Sequence, residues 1–534
     1  MNFFKISSAL AFIASASITV AQNVPAPHQQ TDVQLLQKQM LEMQAGIRQM
    51  QAQHAQEIDG LKAQVAAQQK ALDDFQKMAG ASAPPLPAGP APSAPATGAL
   101  FLTTDSSVVA AIPANAMPGA GAQPSTAFPT ADPSVTTGEA APTAMNGAPS
   151  LAGPITIAGG GSKTFLNISF DGQFSGAIST EKNLDRLEVG DHDPQQRGFN
   201  ARNLELALDG AVDPFFEGFA NIVFKLDNNN ETSVEVEEAF MQTTTLPWNL
   251  QVKGGQFFAS FGRINPQHPH AWDFVDATLV NGRLLGADGL RGVGLQVAWL
   301  APLPWYAQLS LGIQNGNGNT GFSFRNRGED GTFYGRTTFD RLLRGPQDLV
   351  FIPRLESSYD LTPTQTVVAG LSGAFGPNDT GATARTQIYG ADVFYKWKSP
   401  HSEGGWPYVK WQTEAMLRRF EAGRGVHDEF PVRETFNDWG VYSQVVWGFK
   451  KGWAAGVRGD WLHMDESAFT DDPERQSRWR ATANLTWYPS EFSKLRLQYN
   501  HDFLEANHFL GSGSADSVFL QFEFSLGAHA AHKF

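Results

Sequence analysis

From Lys163 to the carboxy terminus, apolar and polar residues alternate along short runs separated by turn-forming or long polar segments. In the last run, Val518, Leu520, Phe522, Phe524, Leu526, Ala528, Ala530, His532 and Phe534 form a mostly apolar row. Gln521, Glu523, Ser525, Gly527, His529, Ala531 and Lys533 form the other row. A period of two is that of a strand with one greasy and one wet face. Trp479, Ala481, Ala483, Leu485 and Trp487 alternate in the same way with Arg478, Arg480, Thr482, Asn484 and Thr486. The pattern predicts sixteen strands, near 165–173, 201–212, 217–226, 233–242, 249–259, 292–300, 305–314, 351–359, 365–375, 387–397, 407–420, 439–449, 453–463, 478–487, 494–502 and 518–526. One run misbehaves: Val234, Val236 and Phe240 put Glu238 on the greasy face, which predicts a bulge or an interface position there.

The connections supply an independent check. After even-numbered strands they are mostly short, as at Asp213-Pro214 and Lys450-Lys451-Gly452. After most odd-numbered strands they are long and polar, as at 260–291, 316–350, 421–438, 464–477 and 504–517. Short turns on one rim and long loops on the other are the habit of an outer-membrane barrel, and a soluble sandwich has no reason to sort its loops by parity. The expected fold is therefore all-β: a transmembrane antiparallel β-barrel of about sixteen strands over residues 162–534.

The amino-terminal third has other periodicities. Residues 1–21 carry Lys5, an apolar run and small residues before Gln22, which reads as a signal peptide. Within 22–78, Val33, Leu36, Met40, Met43, Ile47 and Met50 keep alternating spacings of three and four. After a phase shift through His54 and Ile58, Leu61, Val65, Gln68, Leu72 and Phe75 resume them, predicting a periplasmic α-helical coiled coil of about six heptads with one stutter. Residues 79–161 are rich in Pro, Ala, Gly and Ser and read as a disordered linker able to span about 250 Å if fully extended.

Composition narrows the function classes. With 0 cysteines there is neither a disulfide framework nor a thiolate metal site, and a net charge of -14 argues against nucleic acid as a partner. No nucleophile, triad or phosphate loop can be grouped, so no catalytic residue, enzyme activity or cofactor is expected. His268, His270, His529 and His532 invite a metal reading. The two pairs fall at opposite rims and show no ligand spacing, so no metal site is expected.

The third long loop, SFGRINPQHPHAWDFVDATLVNGRLLGADGLRG, carries the candidate chemistry. A charged loop folded into a barrel lumen narrows it and orders ions and water there. Its Arg263, His268, His270, Asp273, Asp276, Arg283, Asp288 and Arg291 are the candidate constriction residues. Lys225, Lys253, Lys410, Glu414, Arg418, Arg458, Asp460, Arg478, Arg480 and Arg496 are expected to line the pore. The inferred wall also holds Glu205, Asp209, Asp227, Glu235, Glu237 and Glu523, and neither sign dominates.

The order of signal peptide, coiled coil, Pro/Ala linker and barrel resembles the phosphate-selective porin O and P family, which are trimeric outer-membrane channels. RNLELALDGAVDPFFEGFANIVFKLD, VKGGQFFASFGRINPQHPHAWDFVD, WGVYSQVVWGFKKGWAAGVRGD, LTWYPSEFSKLRLQYN and LGAHAAHKF resemble, more narrowly, porin-like proteins sometimes labelled zinc-regulated TonB-dependent receptors. The resemblance implies a homotrimeric channel for small hydrophilic solutes or ions, set in the lipid of the outer membrane of a Gram-negative-type bacterium. Two departures limit it. The third loop has no Lys, so the Lys/Arg clusters of the phosphate porins do not carry over. A TonB-dependent receptor for a metal or metal chelate needs a plug and about 22 strands. That receptor and a structural anchor carrying the periplasmic coiled coil are the alternative readings.

Overall fold

The computed structural model describes residues 155–161, 164–211, 213–328, 331–423, 433–466, 473–507 and 510–527. The expected signal peptide, the coiled coil, nearly all of the linker and the closing residues 528–534 lie outside the described residues.

Sixteen antiparallel strands close into a ring. They are β1 (Thr164–Ser179), β2 (Gly198–Ala211), β3 (Phe216–Leu226), β4 (Thr232–Thr243), β5 (Leu250–Phe258), β6 (Arg291–Leu300), β7 (Tyr306–Gln314) and β8 (Val350–Thr362). The second half comprises β9 (Gln365–Pro377), β10 (Arg385–Glu403), β11 (Trp406–Ala422), β12 (Glu434–Lys450), β13 (Trp453–His463), β14 (Arg478–Ser490), β15 (Ser493–Leu504) and β16 (Gly513–Leu526). Each strand pairs with its sequence neighbours, and β16 closes on β1 from Ser517↔Ser179 to Leu526↔Phe170. Closure leaves the ring itself without a free sheet edge. The strands match the sixteen expected from the two-residue period.

The alternation is inside out relative to a water-soluble sheet. On β14, Arg478, Arg480, Thr482, Asn484 and Thr486 are buried, while Leu485 and Trp487 are exposed. Across the other strands Val293, Leu295, Val297, Leu309, Leu371, Val457, Leu497 and Leu520 are exposed as well. A contiguous apolar belt of this kind is suited to hydrocarbon, and the polar row turns toward the lumen.

The rims differ as the parity predicts. One carries turns at 212–215, 244–249, 301–305, 363–364, 404–405, 451–452 and 491–492. The other carries L1 (180–197), L2 (227–231), L3 (259–290), L4 (315–349), L5 (378–384), L6 (423–433), L7 (464–477) and L8 (505–512).

Two local expectations need revising, and the expected bulge is present with one consequence for facing. A strand at Ile155–Gly161, inside the stretch expected to be linker, pairs with the start of β1, from Ile155↔Ile168 to Gly161↔Thr164. Its Gly-rich composition hides a backbone pairing that tertiary contact supplies. The strand after L8 begins at Gly513, four residues before the expected loop ends at 517. On β4, Asn221 pairs with Glu238 but Ile222 pairs with Val236, so Glu237 is the extra residue of a bulge. The bulge turns both Glu237 and Glu238 inward, where both are buried. It also reverses the facing of the rest of the strand: Phe240 turns inward beneath the ammonium of Lys253, 4.2 Å from its ring centre, and Met241 is exposed instead.

Candidate functional site

L3 leaves the wall at Ala259 and returns to it at Arg291 through a closed neck. Asn265 donates to Ala259 O (2.9 Å) and Leu290 O (3.0 Å) and accepts from Leu290 N (2.7 Å). Beyond the neck the loop runs inside the ring. Gly262 has φ 61°, which strains any side chain, and a Cβ there would stand 2.2 Å from Glu414 Oε2 on β11, so that carboxylate would have to shift. Ile264 N donates to Glu414 Oε1 (2.8 Å) and Gly262 N to Ser372 Oγ on β9 (3.0 Å).

The prolines of the next stretch hold two imidazoles side by side. Pro269 begins a single 3-10 turn over 269–271, and the rings of His268 and His270 stack at 5.8 Å. His268 Nδ1 lies 2.9 Å from Glu237 Oε2 and its Nε2 lies 3.0 Å from Glu238 Oε2, both on β4. His270 Nδ1 lies 2.9 Å from Glu205 Oε2 on β2. Burial alone would strip the proton from His270, but the charge of Glu205 and its hydrogen bond raise the pKa to about 9. The pair is thus a cationic foot set on an acidic stretch of wall.

Past Trp272 the loop meets the opposite charge. Asp273 pairs with Lys410 on β11 at 2.5 Å; burial raises its pKa, but the charge and hydrogen bond of Lys410, together with the charges of Arg496 and Lys494, lower it on balance. Asp276 is fully enclosed: it accepts from Arg458 Nη2 on β13 (2.9 Å) and Asn500 Nδ2 on β15 (3.0 Å), and also from Arg480 on β14 and Gln498 on β15. Lys494 and Arg496 on β15 donate to the backbone carbonyls of His270 (2.7 Å) and Trp272 (3.0 Å). Asn484 on β14 donates to Asp273 O (2.8 Å).

The last part of L3 is α1 (Leu279–Leu284). Its Leu279, Val280 and Leu284 pack with Met416, Tyr442 and Leu462 of the wall in one apolar cluster. Asp460 Oδ1 on β13 accepts from Leu279 N (3.1 Å), and Arg418 on β11 donates to Arg283 O (3.3 Å). Arg283 reaches Glu474 of L7 at 2.8 Å. Arg291, at the return to β6, pairs with Asp288 (3.0 Å) and with Glu235 of β4.

Two groups emerge among the residues that the sequence singles out. His268, His270, Asp276 and Arg291 are buried, and they brace the loop against the wall. So are Glu414, Arg418, Arg458, Asp460, Arg478, Arg480 and Arg496, which bond to L1, L3 or L4, and Lys253, which is buried against the rings of Phe240 and Phe257 of the wall. Arg263, stacked at 3.8 Å over Phe394, stays half-buried, as do Asp273 and Lys410. Lys225 sits near the long-loop rim between Asp191 and Glu235, the latter at 2.6 Å.

Sequence reasoning passes over L1. Leu184 and Leu187 pack against Val275 of L3 and Phe519 of β16. Glu188 pairs with Arg480 at 2.9 Å, and Asp193 accepts from Ala277 N at 2.9 Å. The signal available was the acidic run from Glu188 to Asp193 in an otherwise ordinary polar loop, which no local periodicity distinguishes.

No protein-family model matches the chain. An uncharacterized protein of Aquifex aeolicus (strain VF5) is 31% identical over 396 residues, covering 69% of this chain and 79% of its own. Among solved structures, the outer membrane channel DcaP of Acinetobacter baumannii matches 68% of the chain and 98% of its own, with TM-score 0.46 and 14% identity. The anion-selective porin from Comamonas acidovorans matches 68% and 100%, with TM-score 0.41 and 10% identity. The outer membrane protein OmpT of Vibrio cholerae, in its trimer form, matches 68% and 100%, with TM-score 0.41 and 8% identity. The chain belongs to the same protein family as the Aquifex aeolicus protein.

Proposed function

We propose that the protein is an outer-membrane diffusion channel for small hydrophilic solutes or ions, with L3 as its constriction. The observation that carries this reading is L3 itself, a loop of the barrel wall laid inside the ring and tied to strands from β2 to β15. The apolar outer belt supports a place in lipid, and the loop parity supports long loops outside and short turns in the periplasm. A barrel whose lumen is occupied by its own loop, and whose ring has sixteen strands, favours a channel over a receptor with a separate plug. It favours a channel over an enzyme too, because the enclosed carboxylates serve as anchors, Asp276 for Arg458 and Arg480, Glu414 for Ile264 N and Tyr442 Oη, and Asp193 for Ala277 N.

Arg263, Asp273 and Lys410 are the groups this reading places at the narrowest water-filled passage; His268, His270, Asp276 and Arg291 act from behind by holding the loop. Assembly as a homotrimer, export by the signal peptide and a periplasmic coiled coil complete the reading. Planar-bilayer recording of the purified full chain, with reversal potentials measured under a salt gradient, tests it. Discrete conductance steps are expected. A heat-modifiable, folded protein that never conducts would reject the channel in favour of an anchor.

A further inference from the structure

His192, in L1, is held in a way that the channel reading does not use. Its side chain is 5% exposed. Nδ1 lies 3.1 Å from the backbone carbonyl of Arg202. A carbonyl oxygen can only accept, so Nδ1 carries a proton and Nε2 is the free end of the ring. That end looks at carboxylates: Glu237 Oε1 stands at 2.9 Å and Asp288 Oδ1 of L3 at 3.4 Å. Both Nε2 and Asp288 Oδ1 are buried without a hydrogen-bond partner. Carboxylate oxygens gathered about this nitrogen need positive charge among them, supplied by a proton on Nε2 or by a cation. Asp191, the residue before, brings a third donor, and one ligand atom from each of Asp191, His192 and Asp288 falls within 4.8 Å of the others.

We infer that L1 and L3 together form a site for a divalent transition-metal ion, ligated by His192 Nε2, Asp288 Oδ1 and a carboxylate oxygen of Asp191. The donor set selects the class of ion: an imidazole among carboxylates, in a chain with 0 cysteines, suits a first-row transition ion better than Ca²⁺ or Mg²⁺, which take oxygen alone. The surroundings resemble those of metal ligands elsewhere. The distal nitrogen of His192 is fixed by a carbonyl, and Arg291 holds the second oxygen of Asp288 at 3.0 Å, leaving Oδ1 turned inward. Asp191 is shared with Arg202 (3.3 Å) and Lys225, so the ion has to compete for that carboxylate and the affinity is moderate. Bound metal would staple L1 to L3 at the long-loop rim, where Asp191 N already donates to Ala287 O (3.0 Å).

The test does not depend on conduction. Full-length protein in detergent is stripped with chelator and titrated at neutral pH with Co²⁺, read by calorimetry and by the visible absorption of the ion, with Ca²⁺ as the control. The expected result is one Co²⁺ per chain, little response to Ca²⁺, and binding weakened at least about 10-fold in both His192→Ala and Asp288→Asn. Each variant is first checked for the heat-modifiable band, and Asp288→Asn alone decides if His192→Ala does not fold. No stoichiometric binding, equal binding of Ca²⁺, or unchanged Co²⁺ binding in the folded variants would overturn the site. His192 would then be a plain imidazolium paired with Glu237 and Asp288.

Discussion

Two arcs of the barrel wall receive the same loop with opposite chemistry. Along β2 to β4 the inward row is acidic, with Glu205, Glu235, Glu237 and Glu238, and L3 presents His268 and His270 to it. Along β13 to β15 the inward row is basic, with Arg458, Arg480, Lys494 and Arg496, and L3 presents Asp276 and backbone carbonyls. The difference teaches how a loop is fixed inside a barrel without a large apolar core. Each arc repels its own charges unless the loop is seated in one register, because a slip would take His268 and His270 off the glutamates and Asp276 off Arg458 and Arg480. Charge complementarity of this kind adds less net stability than specificity, since desolvating the charges offsets much of the attraction.

The basic arc should be the more costly to break. Asp276→Ala removes the carboxylate shared by Arg458 and Arg480, which keep Asp460 (2.7 Å) and Glu188 and Asp502 (2.9 Å each), so the loss falls at the low end of a broken buried pair, about 3 kcal/mol. A clear fall in the temperature at which the heat-modified form appears on gels is expected, together with noisier and larger conductance steps. A variant as heat-stable as the parent would remove Asp276 from the anchoring role.

The acidic arc should yield less. His270→Ala costs about 1.5–3 kcal/mol, the scale of one hydrogen bond to a charged group. Glu205 keeps Asn203 at 2.6 Å and Asn221 at 3.2 Å as donors. Its effect on the melting of the folded band should therefore lie below that of Asp276→Ala, and the reverse order would undo the comparison.

The smallest stability effect is expected where the pair is wettest. Lys410 and Asp273 are 24% and 18% exposed, so Lys410→Ala should change stability by about 0.2–1 kcal/mol. Ion preference should move instead, toward cations for Lys410→Ala and toward anions for Asp273→Asn. Reversal potentials that stay put in both variants would place the water path elsewhere.

The wall was legible because it rests on a local signal. A two-residue period and the parity of the connections locate all sixteen strands, and they hold because lipid and lumen demand opposite faces at every step. Even the bulge left a trace, as a charge at a position where the period forbids one. Phe240 was misplaced for the same reason: a bulge reverses the facing of every later residue of its strand, and its extent is set by pairing with β3 and β5. The contacts inside were not legible in this way. Asp276 meets Arg458 across 182 residues and Glu188 meets Arg480 across 292. No spacing rule spans such distances, so the sequence marks Arg458 and Arg480 as inward-facing without telling that a loop would cover them. His192 left still less, one histidine in an acidic run whose meaning depends on Asp288 of another loop.

If L3, held between these two arcs, sets the width of the channel, removing its inner part must widen the passage. Single-channel conductance of the protein with residues 266–282 replaced by a short Gly/Ser link, set beside the unaltered chain in planar bilayers, tests this most directly. The account predicts larger steps and entry of larger solutes in a variant that still gives the heat-modifiable band, and unchanged conductance in such a folded variant would contradict it.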